Sequence, residues 1–302
     1  MRQPPRSADS ASRTATLVGG LAVLLWSLLA LFTVGAAGLP RFQLLAMTFT
    51  LAFLASAGFL LRRGWSGLLI LRQPRGAWVL GVTGLFGYHL LYFIALEAAP
   101  AVEASLIAYL WPLLIVLFSA LLPGAGLRWY HGVGALLGFA GAALLVTRGQ
   151  FSFAWSYWPG YLAAAGCALT WSGYSVLNRR YAGVPTEVVA GFCGAVALLA
   201  WLCHLAVEPT VLPGGLQWLA VAGLGLGPVG FAFFFWDYGT KRGSLPLLGA
   251  LAYGAPLIST LVLVSVGLAA SSWFLWLACL LIVGGALLAA QELLRKRPAA
   301  TA

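Results

Sequence analysis

Gly81–Pro112 reads GVTGLFGYHLLYFIALEAAPAVEASLIAYLWP. Two apolar runs meet at a short Ala-Pro turn, and each has the length of a membrane-crossing helix. The unusual residues lie near the middle of each run, where lipid tolerates polar groups poorly. Tyr88, His89 and Tyr92 fall within about one helical turn of each other, and Tyr109 and Trp111 precede Pro112, a proline in mid-span. An equivalent stretch returns 144 residues later and ends Tyr253-Gly254-Ala255-Pro256.

Composition agrees with this reading. Hydrophobic residues make up 62% of the 302 and charged residues 8%, against about 25% charged in a soluble domain. The chain is therefore expected to be an all-α protein embedded in a lipid bilayer. A net charge of +10 raises the possibility of nucleic acid as a partner, but the basic residues sit in short loops between apolar runs, which is a pattern of membrane orientation. No nucleic-acid partner is expected.

Ten apolar runs are each long enough to cross the hydrocarbon, at roughly 16–36, 41–61, 77–96, 103–122, 129–147, 159–178, 186–207, 216–237, 246–267 and 272–292. Without water to satisfy the backbone each must be a helix, and the short alternating segments of a barrel are absent. The run from Thr16 to Ala37 is too long for a cleaved signal and is expected to be retained. Of the 17 Lys and Arg, all but Arg41 and Arg148 sort to one side, which puts both termini in the cytoplasm.

A weak internal repeat runs through the chain. Trp26-Ser27 returns as Trp171-Ser172 at an offset of 145; Tyr109-x-x-Pro112 returns as Tyr253-x-x-Pro256, Trp129 as Trp273 and Gly141-Ala142 as Gly285-Ala286, all at 144. Five helices per half is an odd number, so the second half is expected upside down relative to the first. The units are a polar N-terminal tail over 1–15, repeats over 16–150 and 151–293, and a basic C-terminal tail over 294–302. Inverted repeats with interrupted helices are a transporter pattern.

Candidate site residues follow from what lipid forbids. Mid-span prolines Pro112, Pro228 and Pro256 each free a carbonyl four residues back, either as a kink healed by neighbours or as a place for a substrate ammonium group. Gly84, Gly87 and Gly227, with these prolines, are the hinge candidates; close helix packing is the other reading of the glycines. His89 is the one histidine near a span centre, a functional hypothesis by default beside the alternative of a neutral hydrogen-bonded ring. Trp26, Trp111 and Trp171 sit mid-span rather than in an interfacial belt. With Tyr88, Tyr92, Tyr109, Tyr174 and Tyr253 they are candidates to line a cavity, core packing being the alternative for each.

Other chemistry is excluded or disfavoured. No Lys or Arg lies near a span centre, which argues against phosphorylated substrates. Cys167, Cys193, Cys203 and Cys279 fall in apolar runs without metal-ligand spacing, so no metal or cofactor is expected. There is no P-loop, and Gly64-Trp65-Ser66-Gly67 lies in a basic loop without a nearby histidine. No catalytic residue is assigned, and the chain is not expected to be an enzyme.

These features resemble the drug/metabolite transporter superfamily in its EamA branch, over nearly the whole chain. The carrying residues are Trp26-Ser27 and Ala104-Ser105-Leu106-Ile107-Ala108-Tyr109-Leu110-Trp111-Pro112. Within the branch the chain is most similar to aromatic amino acid exporters of bacterial inner membranes. Trp111 stands where many relatives carry an acidic residue, which makes the cavity more aromatic. The resemblance implies a monomer or weak homodimer that exports amino acids or related metabolites, aromatic ones foremost, by alternating access. A broad exporter of drugs or neutral metabolites and a non-transporting membrane scaffold are the alternatives.

Overall fold

The structure, a computed structural model, describes residues 6–122, 127–150, 153–268 and 270–291. The first five residues of the expected N-terminal tail and the basic tail over 294–302 lie outside the described residues. All regular structure among the described residues is helical, as a backbone without access to water requires.

In chain order the helices are α1 (Arg6–Trp26), α2 (Leu29–Gly35), α3 (Arg41–Leu61), α4 (Trp65–Leu69), α5 (Arg75–Val82), α6 (Tyr88–Ala98), α7 (Ala101–Ala108) and α8 (Trp111–Ser119). The second half holds α9 (Trp129–Thr147), α10 (Trp158–Leu177), α11 (Val189–Val207), α12 (Gly215–Leu226), α13 (Ala232–Arg242), α14 (Leu245–Ala252), α15 (Gly254–Ser265) and α16 (Trp273–Ala289). Among the described residues, eight segments are long and apolar enough to cross a membrane, several assembled from two helices in tandem. The helix Trp158–Leu177 has the length, at 20 residues, but its Trp, Tyr, Ser and Gly residues make it less apolar. Trp273–Ala289 is apolar but shorter, at 17 residues.

The N-terminal helix starts at Arg6, well before the expected span at Thr16. Thr14 and Thr16 turn their hydroxyls back onto the carbonyls of Ser10 and Ser12. Thr16 also accepts the Ser244 N–H at 2.8 Å, a tertiary contact at the expected start of the span.

Four irregular segments repeat in register, whereas the break between α1 and α2 has no counterpart in the continuous α10. A π-helical turn over Thr83–Gly87 joins α5 to α6, and another over Gly227–Phe231 joins α12 to α13. Their bounds differ by the same 144 residues as the sequence matches. The α7–α8 break begins after Ala108 and the α14–α15 break after Ala252, again 144 apart.

Packing follows the same exchange. α1 lies along α13 and, reciprocally, α6 along α10, while α3 packs on α11, α8 on α14 and α9 on α16. The α9–α16 pair runs antiparallel: Gly134 meets the Gly285 backbone, and further along α9 Gly141 meets Ala278. Phe42 and Gln43 likewise meet Glu208, and Thr50 meets Trp201, so α3 and α11 also run in opposite directions. Trp129, Trp155, Trp218 and Trp273 are exposed on the outer surface, where an indole suits a membrane interface.

The α9–α16 contact tests this packing. A Cβ at Gly285 would meet Gly134 backbone, whereas one at Gly284 would meet nothing within 4 Å. Gly285→Leu is expected to cost about 1–3 kcal/mol by overpacking and Gly284→Ala to be neutral. Thermal unfolding of the detergent-solubilised protein separates them, and equal midpoints would refute this contact.

Candidate functional site

A cavity of about 360 Å³ lies at the level of the four helix breaks. Seven of the nine sequence-derived candidates line it: Trp26, Tyr88, His89, Tyr92, Tyr109, Trp111 and Trp171. Residues not anticipated from sequence join them, chiefly Ser105, Phe233, Ser259 and Thr260. None of the lining residues is an Asp, Glu, Lys or Arg.

The aromatic floor is a packed set of rings. Trp26 meets Trp111 edge-on at 6.1 Å and Trp171 at 5.8 Å between ring centroids. Trp236, wholly buried beneath, lies 5.0 Å from Trp26 and donates its indole N–H to Ser175 Oγ at 3.0 Å. Above this floor Tyr88 stacks parallel to Tyr92 at 6.2 Å, and the Tyr92 hydroxyl pairs with Ser105 Oγ at 3.0 Å. The indole N–H groups of Trp111 and Trp171 make no hydrogen bond among the described residues, so two donors face the cavity.

Ring donors also heal the helix breaks. Trp26 Nε1–H donates to the Pro228 carbonyl at 3.1 Å, inside the second π-helical turn. His89 Nδ1 lies 2.7 Å from the Leu85 carbonyl of the first. A carbonyl only accepts, so Nδ1 carries the proton and Nε2 is left to the cavity. Neither carbonyl is one of those anticipated as places for an ammonium group, which are those of Ala108, Leu224 and Ala252, four residues before each proline.

Tyr174 and Tyr253 stand apart from the lining. Gly84 leaves room for the Tyr174 ring, which lies against it and stays buried behind Trp171. Tyr253 fills a hollow over Gly138 with no exposure at all. Its hydroxyl accepts the Leu113 N–H at 3.1 Å and donates to the Tyr109 carbonyl at 3.2 Å. The six hinge candidates fall at the breaks: Gly84 and Gly87 in one π-helical turn, Gly227 and Pro228 in the other, Pro112 and Pro256 in the first turns of α8 and α15. Pro228 and Pro256 also line the cavity.

The cavity extends toward one end of the bundle, through Leu29 and Ala30, Tyr92, Ser105 and Leu263. The other end holds a buried polar cluster. Lys241 Nζ lies 2.9 Å from Asp237 Oδ2, with both side chains essentially inaccessible. Asn178 and Thr186 donate to the same carboxylate at 3.0 and 2.7 Å, and Lys241 also reaches the Val184 carbonyl at 3.1 Å. Arg179, whose pKa burial lowers, donates to the carbonyls of Thr240 and Gly243. The cluster ties the end of α13 to the connection between α10 and α11.

A profile of the EamA-like transporter family matches the chain twice, over residues 13–147 and 158–291. The aromatic amino acid exporter YddG of Ancylobacter novellus is 58% identical over 278 residues, covering 91% of this chain and 96% of its own length. Exporters of the same name from Salmonella typhimurium and Escherichia coli are 25% and 24% identical, each match covering more than nine-tenths of both proteins. A crystal structure 56% identical in sequence superposes with a TM-score of 0.89, covering 94% of this chain and 98% of the other. The chain belongs to the EamA-like transporter family.

Asp237→Asn would leave the Lys241 ammonium buried without its counter-charge, at an expected cost of about 3–5 kcal/mol. Adding Lys241→Met removes the stranded charge and is expected to recover most of that loss. Denaturation midpoints in detergent give both values, and an unshifted midpoint for the single variant would contradict the buried pair.

Proposed function

We propose that this protein is a secondary transporter exporting amino acids, aromatic ones foremost, across the bacterial inner membrane by alternating access. The observation that carries this reading is the uncharged, ring-lined cavity held between four helix breaks in repeat register. Its volume falls in the range of about 300–1,000 Å³ usual for small-molecule sites. The name of the relative at 58% identity supports the substrate class.

In this reading Trp158–Leu177 and Trp273–Ala289 also cross the membrane, giving ten spans in two inverted five-helix repeats over 16–150 and 151–293. The antiparallel packing of equivalent helices supports the inversion. Both termini face the cytoplasm, supported by the sorting of Lys and Arg. The described state is then outward-facing, with the Asp237 cluster at the cytoplasmic end. The protein works as a monomer or weak homodimer and needs no cofactor.

The lining suits an amino acid with an aromatic side chain. A ring has aromatic faces and edges to pack on, chiefly Trp26, Tyr88, Trp111 and Trp171. Indole and hydroxyl donors suit a carboxylate, and the free Nε2 of His89 suits an ammonium group. Gly84, Gly87, Pro112, Gly227, Pro228 and Pro256 take up bending as the halves rock. A broad exporter of neutral metabolites draws on the same uncharged lining, and competition between tryptophan, threonine and a quaternary ammonium dye separates the two.

Trp111→Ala and His89→Ala are expected to lower export while leaving membrane insertion intact. Losing one aromatic contact costs about 0.5–1.5 kcal/mol, a weakening of about 2- to 12-fold in affinity for an aromatic substrate. Uptake of labelled amino acids by proteoliposomes, with and without a pH gradient, measures this. Wild-type flux in both variants across several substrates would move the site elsewhere.

A further inference from the structure

Tyr253 does more in this structure than fill space. In an unbroken helix the Leu113 N–H would bond the Tyr109 carbonyl four residues back. Both groups bond the Tyr253 hydroxyl instead, which stands between them as a wedge. Insertion of a polar group into the hydrogen-bond ladder is a recognised cause of helix kinks.

At the repeat offset of 144, Tyr253 corresponds to Tyr109, and the wedged pair of groups corresponds to Leu257 N–H and the Tyr253 carbonyl. The counterpart wedge is missing. Tyr109 lines the cavity, and its hydroxyl makes no hydrogen bond among the described residues. The helices register the difference. α8 resumes two residues after Tyr109, whereas α15 resumes directly after Tyr253, so the unwedged break is shorter by one residue.

We propose that Tyr109 and Tyr253 form a reciprocal toggle that sets which face of the transporter is open. In the described state Tyr253 is wedged into the α7–α8 break and Tyr109 lines the cavity. In the opposite state Tyr109 enters the α14–α15 break, between Leu257 N–H and the Tyr253 carbonyl, while Tyr253 withdraws to line the cavity. This rests on the inverted-repeat carrier reading, under which exchanging the conformations of the two halves turns one state into the other. The two receiving sites are unequal. Gly138 leaves the hollow that Tyr253 fills, but its counterpart is the buried Ile282. The Tyr253-wedged state is therefore the resting one.

A cysteine reporter tests the toggle without substrate. Ser259 lines the present cavity, and its counterpart Ile115 is fully buried, so Ile115→Cys reacts with a membrane-impermeant thiol reagent from the cytoplasmic face only in the opposite state. Inside-out vesicles present that face, and the chain without the reporter supplies the background. Removing the wedge with Tyr253→Phe is expected to raise the labelling rate about fivefold, the equivalent of one net hydrogen bond. Tyr109→Phe is expected to lower it by about as much, and the double variant to return within about twofold of the parent. Ile282→Ala, which widens the second receiving site, is expected to raise it.

Equal labelling across the series, or single variants moving in the same direction, would overturn the toggle. Should Tyr253→Phe fail to fold, Tyr109→Phe decides alone, because it removes a hydroxyl that is unbonded here. Amino acid flux measured on the same preparations separates the two layers of inference. The labelling pattern without flux keeps the toggle and rejects the substrate class; flux with an unresponsive reporter keeps the exporter and rejects the toggle.

Discussion

Within hydrocarbon every backbone N–H and C=O has to find a partner in the protein, because no water is there to supply one. A broken helix is therefore tolerated only where something closes the break. Here side chains of the break-forming helices do so: Trp26 for the Pro228 carbonyl, His89 for the Leu85 carbonyl, Tyr253 for both groups flanking Pro112. Trp26 and His89 are also cavity walls, and Tyr253 lies one layer behind. The cavity and the breaks are thus one construction, since a ring that moves to suit a substrate also releases a backbone group.

Much of this was legible in the sequence because lipid makes polar and aromatic residues conspicuous. Mid-span Trp, Tyr and His pointed to the level of the cavity, and Pro112 with Pro256 pointed to breaks in register. What the pattern could not carry was direction around each helix. Tyr174 and Tyr253 sit at the right depth but turn into hollows left by Gly84 and Gly138, and the glycines that shape those hollows lie on other helices. Ser105, Phe233, Ser259 and Thr260 were missed for the converse reason, since Ser, Thr and Phe are unremarkable in an apolar run.

The same limit applies to Asp237 and Lys241. In the sequence they stand four residues apart and mark no more than the end of a span. Their burial depends on Asn178, Thr186 and the Val184 carbonyl, which belong to the connection between α10 and α11. A helix read alone gives no sign of what docks on its end.

The two ends of the bundle are chemically unequal although the repeat relates them. At the offset of 144, Lys241 corresponds to Glu97 and Asp237 to Phe93. Glu97 lies 3.7 Å from Arg41 with both side chains well exposed, a geometry worth about 0–1 kcal/mol. The Asp237–Lys241 pair is dry, and a dry ion pair returns little beyond its own desolvation cost. Re-solvating it would therefore cost less than its four hydrogen bonds suggest. A carrier needs two closures of nearly equal free energy, because a single strong latch would trap it on one side. Neither pair is a strong latch in the described state: the buried one has terms that nearly cancel, and the one at the end toward which the cavity extends is solvated and worth little.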